Sequence, residues 1–220
     1  MQVRNDTKGK AKEKPVVKKK EEPPAPAASA PKTAQPKNAG DKAVKAVEEK
    51  VIDTTRGAEP FETANIPGPK MARAVMPAVA GKVLAKSKRP LLIVGSRLGD
   101  GALERAVLLS KKMSVAAVGN SSRVLVPKGV DAPYINMHAL ALYLCDPQWK
   151  GLDGKGGYDT IALLGLTYYY ASQAISAVKN FTRIKIISID RYYHPNADFS
   201  FGNLKDDVFL AALDEVIAQL

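Results

Sequence analysis

The sequence predicts an α/β protein with a doubly wound, mostly parallel sheet of the Rossmann-like kind. Two observations support this fold class. Four short apolar runs lack the polar alternation of a half-exposed strand, which is typical of strands covered on both faces. Amphipathic helical stretches separate these runs, and strands that alternate with helices form parallel sheets with right-handed crossovers.

The first element of the domain is a helix that begins at Pro77, because proline is favoured in the first turn of a helix. Phe209, Leu213 and Val216 share one face of the last helix, since they recur at helical spacing. Between these helices the pattern alternates. The predicted segments are strand 91–94, helix 103–110, strand 115–118, helix 134–144, strand 161–164, helix 168–178 and strand 184–189.

The chain divides by composition into three segments. Residues 1–60 are predicted to be a disordered, basic tail rich in Pro, Lys and Ala, with a short helix allowed over 41–52. The first 40 residues contain six prolines, and no aromatic residue precedes Phe61. Residues 61–76 form a lead-in segment, and residues 77–220 form a single Rossmann-like domain.

The metal-binding side chains are too few for a metal cluster. The chain has one cysteine, Cys145, and two histidines, His138 and His194, whereas iron–sulfur clusters and structural zinc need about four ligands. No apolar stretch is long enough to span a membrane, and no secretory signal is recognisable. We therefore expect a cytoplasmic protein without a metal cluster of its own.

The net charge of +11 raises the hypothesis of nucleic-acid binding. About half of this charge lies in residues 1–50, which hold 13 Lys and Arg against 7 acidic residues. A nucleic-acid arm would interleave basic residues with aromatic side chains, and this tail has none. Nucleic acid is therefore not expected as a partner.

Candidate ligand-binding residues follow the predicted strands, because ligands of open α/β sheets bind at the carboxyl ends of the strands. Glycines there allow a close backbone approach, Arg97 could offset phosphate charge, and Asp190 could accept hydrogen bonds from a ribose. A second interpretation stays open, in which these glycines only make tight turns and Asp190 caps one. The candidate residues are Gly95, Ser96, Arg97, Gly119, Asn120, Ser121, Asp190 and Arg191.

No catalytic residues are predicted, since no triad, acid pair or metal-ligand spacing occurs. Residues 153–157 are glycine-rich but do not form a phosphate loop, because they precede a strand and lack the Lys-Ser/Thr ending. Tyr168, Tyr192 and Tyr193 are predicted to be exposed and to contact a partner, since tyrosine is common at interface hot spots.

Several segments together resemble the epsilon subunit family of the archaeal carbon monoxide dehydrogenase/acetyl-CoA decarbonylase-synthase complex. The resemblance covers about residues 70–220 and leaves the tail unexplained. The same blocks are more distantly similar to the central FAD- or ADP-binding domain of thiamine-diphosphate enzymes. The matching segments are 88–95, 134–138, 151–156, 158–159, 179–181, 187–191 and 200–204.

The resemblance implies an accessory subunit that performs no catalysis by itself. It implies a large alpha subunit as partner, which carries the nickel–iron–sulfur chemistry, with two alpha and two epsilon chains together. Beta, gamma and delta subunits complete the larger complex. Stabilisation of the alpha subunit and assistance in electron transfer to FAD are both expected roles. The alternatives are a flavin- or nucleotide-binding module, a nucleic-acid binder and, least favoured, a stand-alone enzyme.

Overall fold

The computed structural model describes residues 51–61 and 70–220, and these residues contain a sheet of six parallel strands. Four strands are buried, and the remaining two are only two residues long. The strands are β1 (Arg73–Ala74), β2 (Pro90–Val94), β3 (Ser114–Ala117), β4 (Thr160–Leu164), β5 (Lys185–Ser188) and β6 (Phe199–Ser200). Their order in the sheet is β1-β6-β5-β4-β2-β3, so the predicted fold class is confirmed.

Within the described residues, six α-helices and one short 3-10 turn accompany the sheet. Proline begins the first helix, as predicted, and the four predicted strands all form within a residue or two of their expected ends. The helices are α1 (Pro77–Ala85), α2 (Asp100–Ser110), α3 (Ser121–Leu125), α4 (Met137–Cys145), α5 (Tyr168–Phe181) and α6 (Asp206–Ala218), and the 3-10 turn is Val126–Lys128.

Alternating side chains of the buried strands pack into two separate hydrophobic cores. Leu92 and Val94 of β2 join the core under α1, α2 and α6, whereas Leu91 and Ile93 join the core under α4 and α5. Successive side chains of a strand point to opposite faces of the sheet. The helices therefore form two layers, which we call the α1/α2/α6 layer and the α4/α5 layer.

Helix α4 begins three residues later than predicted. The side chain of Asn136 accepts hydrogen bonds from the backbone N–H groups of His138 and Ala139, which is the usual role of a helix N-cap. Tyr134 instead pairs with Ala117 in an isolated β-bridge. The segment before Asn136 is therefore extended because it continues the pairing of β3.

Residues 51–61, most of which were predicted to belong to the tail, make contacts with the domain. Thr54 is fully buried, and its hydroxyl donates to the carbonyl of Val75. The N–H of Gly202 donates to the carbonyl of Thr54, and an added Cβ at Gly202 would lie 1.8 Å from the carbonyl oxygen of Arg56. The rest of the predicted tail, residues 1–50, lies outside the described residues, as does part of the predicted lead-in, residues 62–69.

No helix among the described residues is both long enough and apolar enough to cross a lipid bilayer.

Candidate functional site

The loops that follow β2 and β4 touch each other at the carboxyl edge of the sheet. The N–H of Arg97 donates to the carbonyl of Gly165 at 2.8 Å. A Cβ added at Gly95 would lie 2.2 Å from that same carbonyl oxygen, a distance that real Cβ atoms do not reach. Gly95 is therefore needed for the packing of one loop against another, in agreement with the tight-turn interpretation of this glycine.

The predicted residues after β3 also have structural contacts. Gly119 has a φ of 64°, in the left-handed region that favours glycine. The hydroxyl of Ser121 is buried and donates to the carbonyls of Val94 and Val118. Asn120 is exposed beside them. These contacts stabilise the turn between β3 and α3.

Asp190, directly after β5, is a buried carboxyl group. Its oxygens accept hydrogen bonds from the backbone N–H groups of Leu166 and Arg191, at 3.1 and 2.8 Å. Burial raises the pKa of Asp190 to about 6, although these N–H groups favour the ionised form. Asp190 therefore fixes the loop after β4 to the end of β5.

The predicted strand-end residues border two different cavities. A cavity of about 650 Å³ is lined by Arg97, Asp190 and Arg191, together with residues of α2, α5 and α6. A smaller cavity of about 230 Å³ lies beside Gly95, Ser96 and Gly119. Asn120 and Ser121 line neither. The structure therefore does not gather all eight predicted residues around one cavity.

The larger cavity combines aromatic walls with charged groups. Phe61 stacks on Tyr192 with ring centroids 3.8 Å apart. Arg191 lies over the Tyr192 ring and forms an ion pair with Asp206 at 2.6 Å. The guanidinium of Arg97 has no hydrogen bond or ion pair with any described residue. Arg97 is therefore available to an anion that enters this cavity.

Two of the three tyrosines predicted to be exposed are buried, so that expectation is wrong for them. Tyr193 is 1% exposed, and its hydroxyl donates to the carbonyl of Ala72. Tyr168 is also buried, and its hydroxyl donates to the carbonyl of Tyr193. Tyr192 is half-buried against Phe61. A partner cannot contact Tyr193 directly unless the domain opens.

Exposed apolar side chains lie instead on the α4/α5 layer, outside the three tyrosines predicted to contact a partner; of these side chains, only Tyr170 stands out in the sequence, as the third of three consecutive tyrosines. Tyr169 and Tyr170 fall outside the buried stripe of α5, which a helical wheel drawn from Tyr168 would have revealed. The ring of Tyr170 meets that of His138 at 5.1 Å. The large exposed side chains of this layer and its flanking segment are Tyr134, Leu142, Tyr143, Tyr169, Tyr170 and Phe181.

His194, which directly precedes Pro195, is a buried histidine. Its ring stacks on Tyr168 with centroids 4.4 Å apart, and its Nδ1 has no hydrogen-bond partner among the described residues. Burial lowers the pKa of His194 to about 4, so the ring is neutral at pH 7. Within residues 51–61 and 70–220, no three potential ligand side chains of His, Cys, Asp or Glu converge on one point.

The fold and these sites define a class: a Rossmann-like α/β domain with an aromatic outer helix layer. Comparison with known proteins makes the assignment specific. Residues 55–217 match the family described as CO dehydrogenase beta subunit/acetyl-CoA synthase epsilon subunit. The chain belongs to this family.

Similar proteins are named epsilon subunits of the acetyl-CoA decarbonylase/synthase complex. The relative from Methanothrix soehngenii is 45% identical over 78% of this chain and 96% of its own length. The epsilon 1 relative from Methanosarcina barkeri is 46% identical over 77% of this chain and all of its own length. The epsilon 1 relative from Archaeoglobus fulgidus is 36% identical over 74% of this chain and 92% of its length. The resemblance noted from the sequence is therefore confirmed.

Proposed function

We propose that this chain is a non-catalytic accessory subunit of an acetyl-CoA decarbonylase/synthase complex. In this proposal it binds the large alpha subunit that carries the nickel–iron–sulfur chemistry, as two alpha and two epsilon chains, alongside the beta, gamma and delta subunits. The observation that supports the proposal is the match to named epsilon subunits over nearly their whole length.

The proposed role is to stabilise the alpha subunit by mass action. A partner that binds only the folded form adds about 2.7 kcal/mol of stability at a concentration 100 times the Kd. Such a contribution would be large for a domain whose total stability is about 5–15 kcal/mol. This chain would supply no electron-transfer centre of its own.

The test uses the full chain and a separately purified alpha subunit under anaerobic conditions. We expect the two to sediment as one species, and we expect the CO-oxidation activity of the alpha subunit to survive heating longer in the mixture. Metal analysis of this chain alone should give no stoichiometric iron or nickel. Separate sedimentation at micromolar concentration, or an unchanged half-life of activity, would contradict the proposal.

A second candidate function is binding of FAD or an adenine nucleotide, which the larger cavity favours. Its volume of about 650 Å³ lies within the usual range of small-molecule sites. The described residues fit such a ligand in part. Arg97 would hold a phosphate group, the ring of Tyr192 would face a planar base, and Asp190 would accept from a ribose hydroxyl. The bound group would supply electron-accepting chemistry in the case of FAD.

Calorimetry with FAD and with ADP tests this candidate, using Arg97→Ala and the exposed Arg123→Ala as a matched control. Loss of a hydrogen bond to a charged group costs roughly 10- to 150-fold in affinity. We expect this loss for Arg97→Ala alone. The candidate fails if neither ligand binds the chain, whether free or joined to the alpha subunit.

A further inference from the structure

The outer surface of the α4/α5 layer is almost free of charge. Across the 9 residues of α4 and the 14 residues of α5, the single Lys, Arg, Asp or Glu is Lys179. The ammonium group of Lys179 donates to the carbonyls of Lys70 and Ala197, so it is held toward the β6 side of the domain. The remainder of the surface therefore presents only neutral side chains and His138.

Apolar side chains occupy this surface along its whole length. Tyr134 is 63% exposed, and with Tyr170 it borders the smaller cavity at the carboxyl end of the sheet. Leu142, 74% exposed, lies one helical turn beyond His138 on α4. Phe181, 78% exposed, ends α5. We call the six side chains Tyr134, Leu142, Tyr143, Tyr169, Tyr170 and Phe181 the aromatic face.

A second cavity extends the aromatic face at the amino end of the sheet. It has a volume of about 310 Å³ and is lined by Cys145, Trp149 and Phe181, together with the charged residues Asp146 and Arg183. Trp149 stacks on Tyr143 with ring centroids 5.6 Å apart. A cavity beside exposed aromatic rings is the place where an anchoring side chain of a partner inserts.

The area of the aromatic face matches that of a stable protein interface. Five of the six side chains are aromatic, with about 150–250 Å² of surface each, and the six residues are between 43% and 78% exposed. The six side chains therefore expose roughly 700 Å², which exceeds the largest apolar patch of a typical monomer. A standard interface buries about 800 Å² on each partner.

We propose that the aromatic face is the surface by which this chain binds the large subunit of its complex. The proposal rests on the proposed function, which identifies the partner as a different chain. The chemistry of the face defines what the partner presents: a mainly apolar surface with acceptors for the tyrosine hydroxyls. Depletion of charge and enrichment in tyrosine are the marks of an interface core.

Leu142→Glu tests the proposal, because an unpaired charge in an interface core costs several kcal/mol. Leu108→Glu on α2 is the matched control, since Leu108 is an exposed leucine of the other layer. Both side chains are exposed, so both variants should fold, which circular dichroism and thermal unfolding will verify. Phe181→Glu, with Val79→Glu on α1 as its control, repeats the test at the far end of the aromatic face.

Affinity for the purified large subunit is measured by sedimentation or biolayer interferometry with the full chain. We expect Leu142→Glu and Phe181→Glu to lower the affinity about 100-fold or more, and the two controls to change it less than threefold. If the wild type binds but all four variants bind equally well, the aromatic face is not the interface. If only the controls lose affinity, the interface is the α1/α2/α6 layer.

Two further outcomes separate this proposal from the proposed function. If the wild-type chain does not bind the large subunit at all, the proposed function fails and the inference fails with it. If the wild type forms a dimer that Leu142→Glu dissociates, while binding of the large subunit is unchanged, the face serves a second copy of this chain and the inference alone is overturned.

Discussion

The two helix layers each cover one face of the same sheet with a buried apolar core, but they present very different outer surfaces. Every helix of the α1/α2/α6 layer carries at least one charged residue: Lys82 on α1, Glu104 and Arg105 among others on α2, and Asp214 and Glu215 among others on α6. The α4/α5 layer carries only Lys179. Charge is the usual means of keeping an exposed helix face solvated and unpartnered. The difference indicates that one layer faces solvent and the other faces protein.

The first and largest expected effect concerns the contact between the loops that follow β2 and β4. Gly95→Ala should destabilise the domain by about 3 kcal/mol, because its Cβ would collide with the carbonyl of Gly165. Gly157→Ala is the control, since the nearest atom to its added Cβ is 3.9 Å away. Urea unfolding measures both. Equal midpoints for the two variants would show that the loops can part without cost.

The second expected effect is the pH dependence of stability that comes from two buried titratable groups, Asp190 and His194. Burial raises the pKa of Asp190 to about 6, so its contribution to stability is present below about pH 4 and is lost as pH rises through 6. Burial lowers the pKa of His194 to about 4, so its contribution is present above about pH 6.5 and is lost as pH falls through 4. The two contributions have opposite signs and similar size.

The free energy of unfolding of the two single variants should therefore depend on pH with opposite slopes. In the wild type these two slopes nearly cancel. Relative to wild type, His194→Gln should gain stability, and Asp190→Asn should lose it, as pH falls from 6.5 to 4. Each change should amount to roughly 3 kcal/mol, from shifts of about two pKa units. The measurement is the free energy of unfolding at several pH values. If both variants follow the wild-type profile, these groups are not buried as described.

The third effect tests whether the aromatic face acts through its rings. Tyr170→Ala should weaken binding of the large subunit by about 2 kcal/mol, or roughly 30-fold, because aromatic anchors are typical hot spots. Thermal stability should change much less than the affinity, since Tyr170 is 43% exposed in the free chain and its ring contacts are with other exposed side chains, His138 and Tyr169. Tyr170→Phe removes the hydroxyl but keeps the ring, so this variant should retain most of the affinity. If Tyr170→Ala instead lost as much stability as affinity, the ring would stabilise the folded chain and not the interface.

The smallest effect belongs to the charged layer. Arg105 of α2 forms a two-pronged ion pair with Asp214 of α6, at 2.9 and 2.7 Å. Exposed pairs of this kind contribute about 1 kcal/mol or less. Arg105→Ala should therefore lower stability by about that amount and leave affinity for the large subunit unchanged. Reduced affinity in this variant would show that the α1/α2/α6 layer also contributes to binding of the large subunit.

The fold could be predicted from the sequence because its physical signals are local. Buried parallel strands are runs of apolar residues. Proline is favoured in the first turn of a helix, so Pro77 indicates where α1 begins. The two-residue strands β1 and β6 were missed because a pair of residues has no periodicity. Helix α3 has only five residues, too few for an apolar stripe.

The candidate site was less predictable because its contacts are distant in sequence. The contact of Gly95 with Gly165 joins residues 70 positions apart, and nothing in either loop reveals it. The same holds for the hydroxyl of Tyr193, which donates to the carbonyl of Ala72. The exposed tyrosines of α5 were predictable in principle, since the phase of the helix separates Tyr169 and Tyr170 from Tyr168.

Amide hydrogen exchange of the full chain, with and without the purified large subunit, tests the central claim most directly. The claim is that the α4/α5 layer faces protein whereas the α1/α2/α6 layer faces solvent. We predict that binding slows exchange in residues 134–149 and 168–181 and leaves α1, α2 and α6 unchanged. Slowed exchange confined to α1, α2 and α6, with no change in α4 and α5, would contradict the claim.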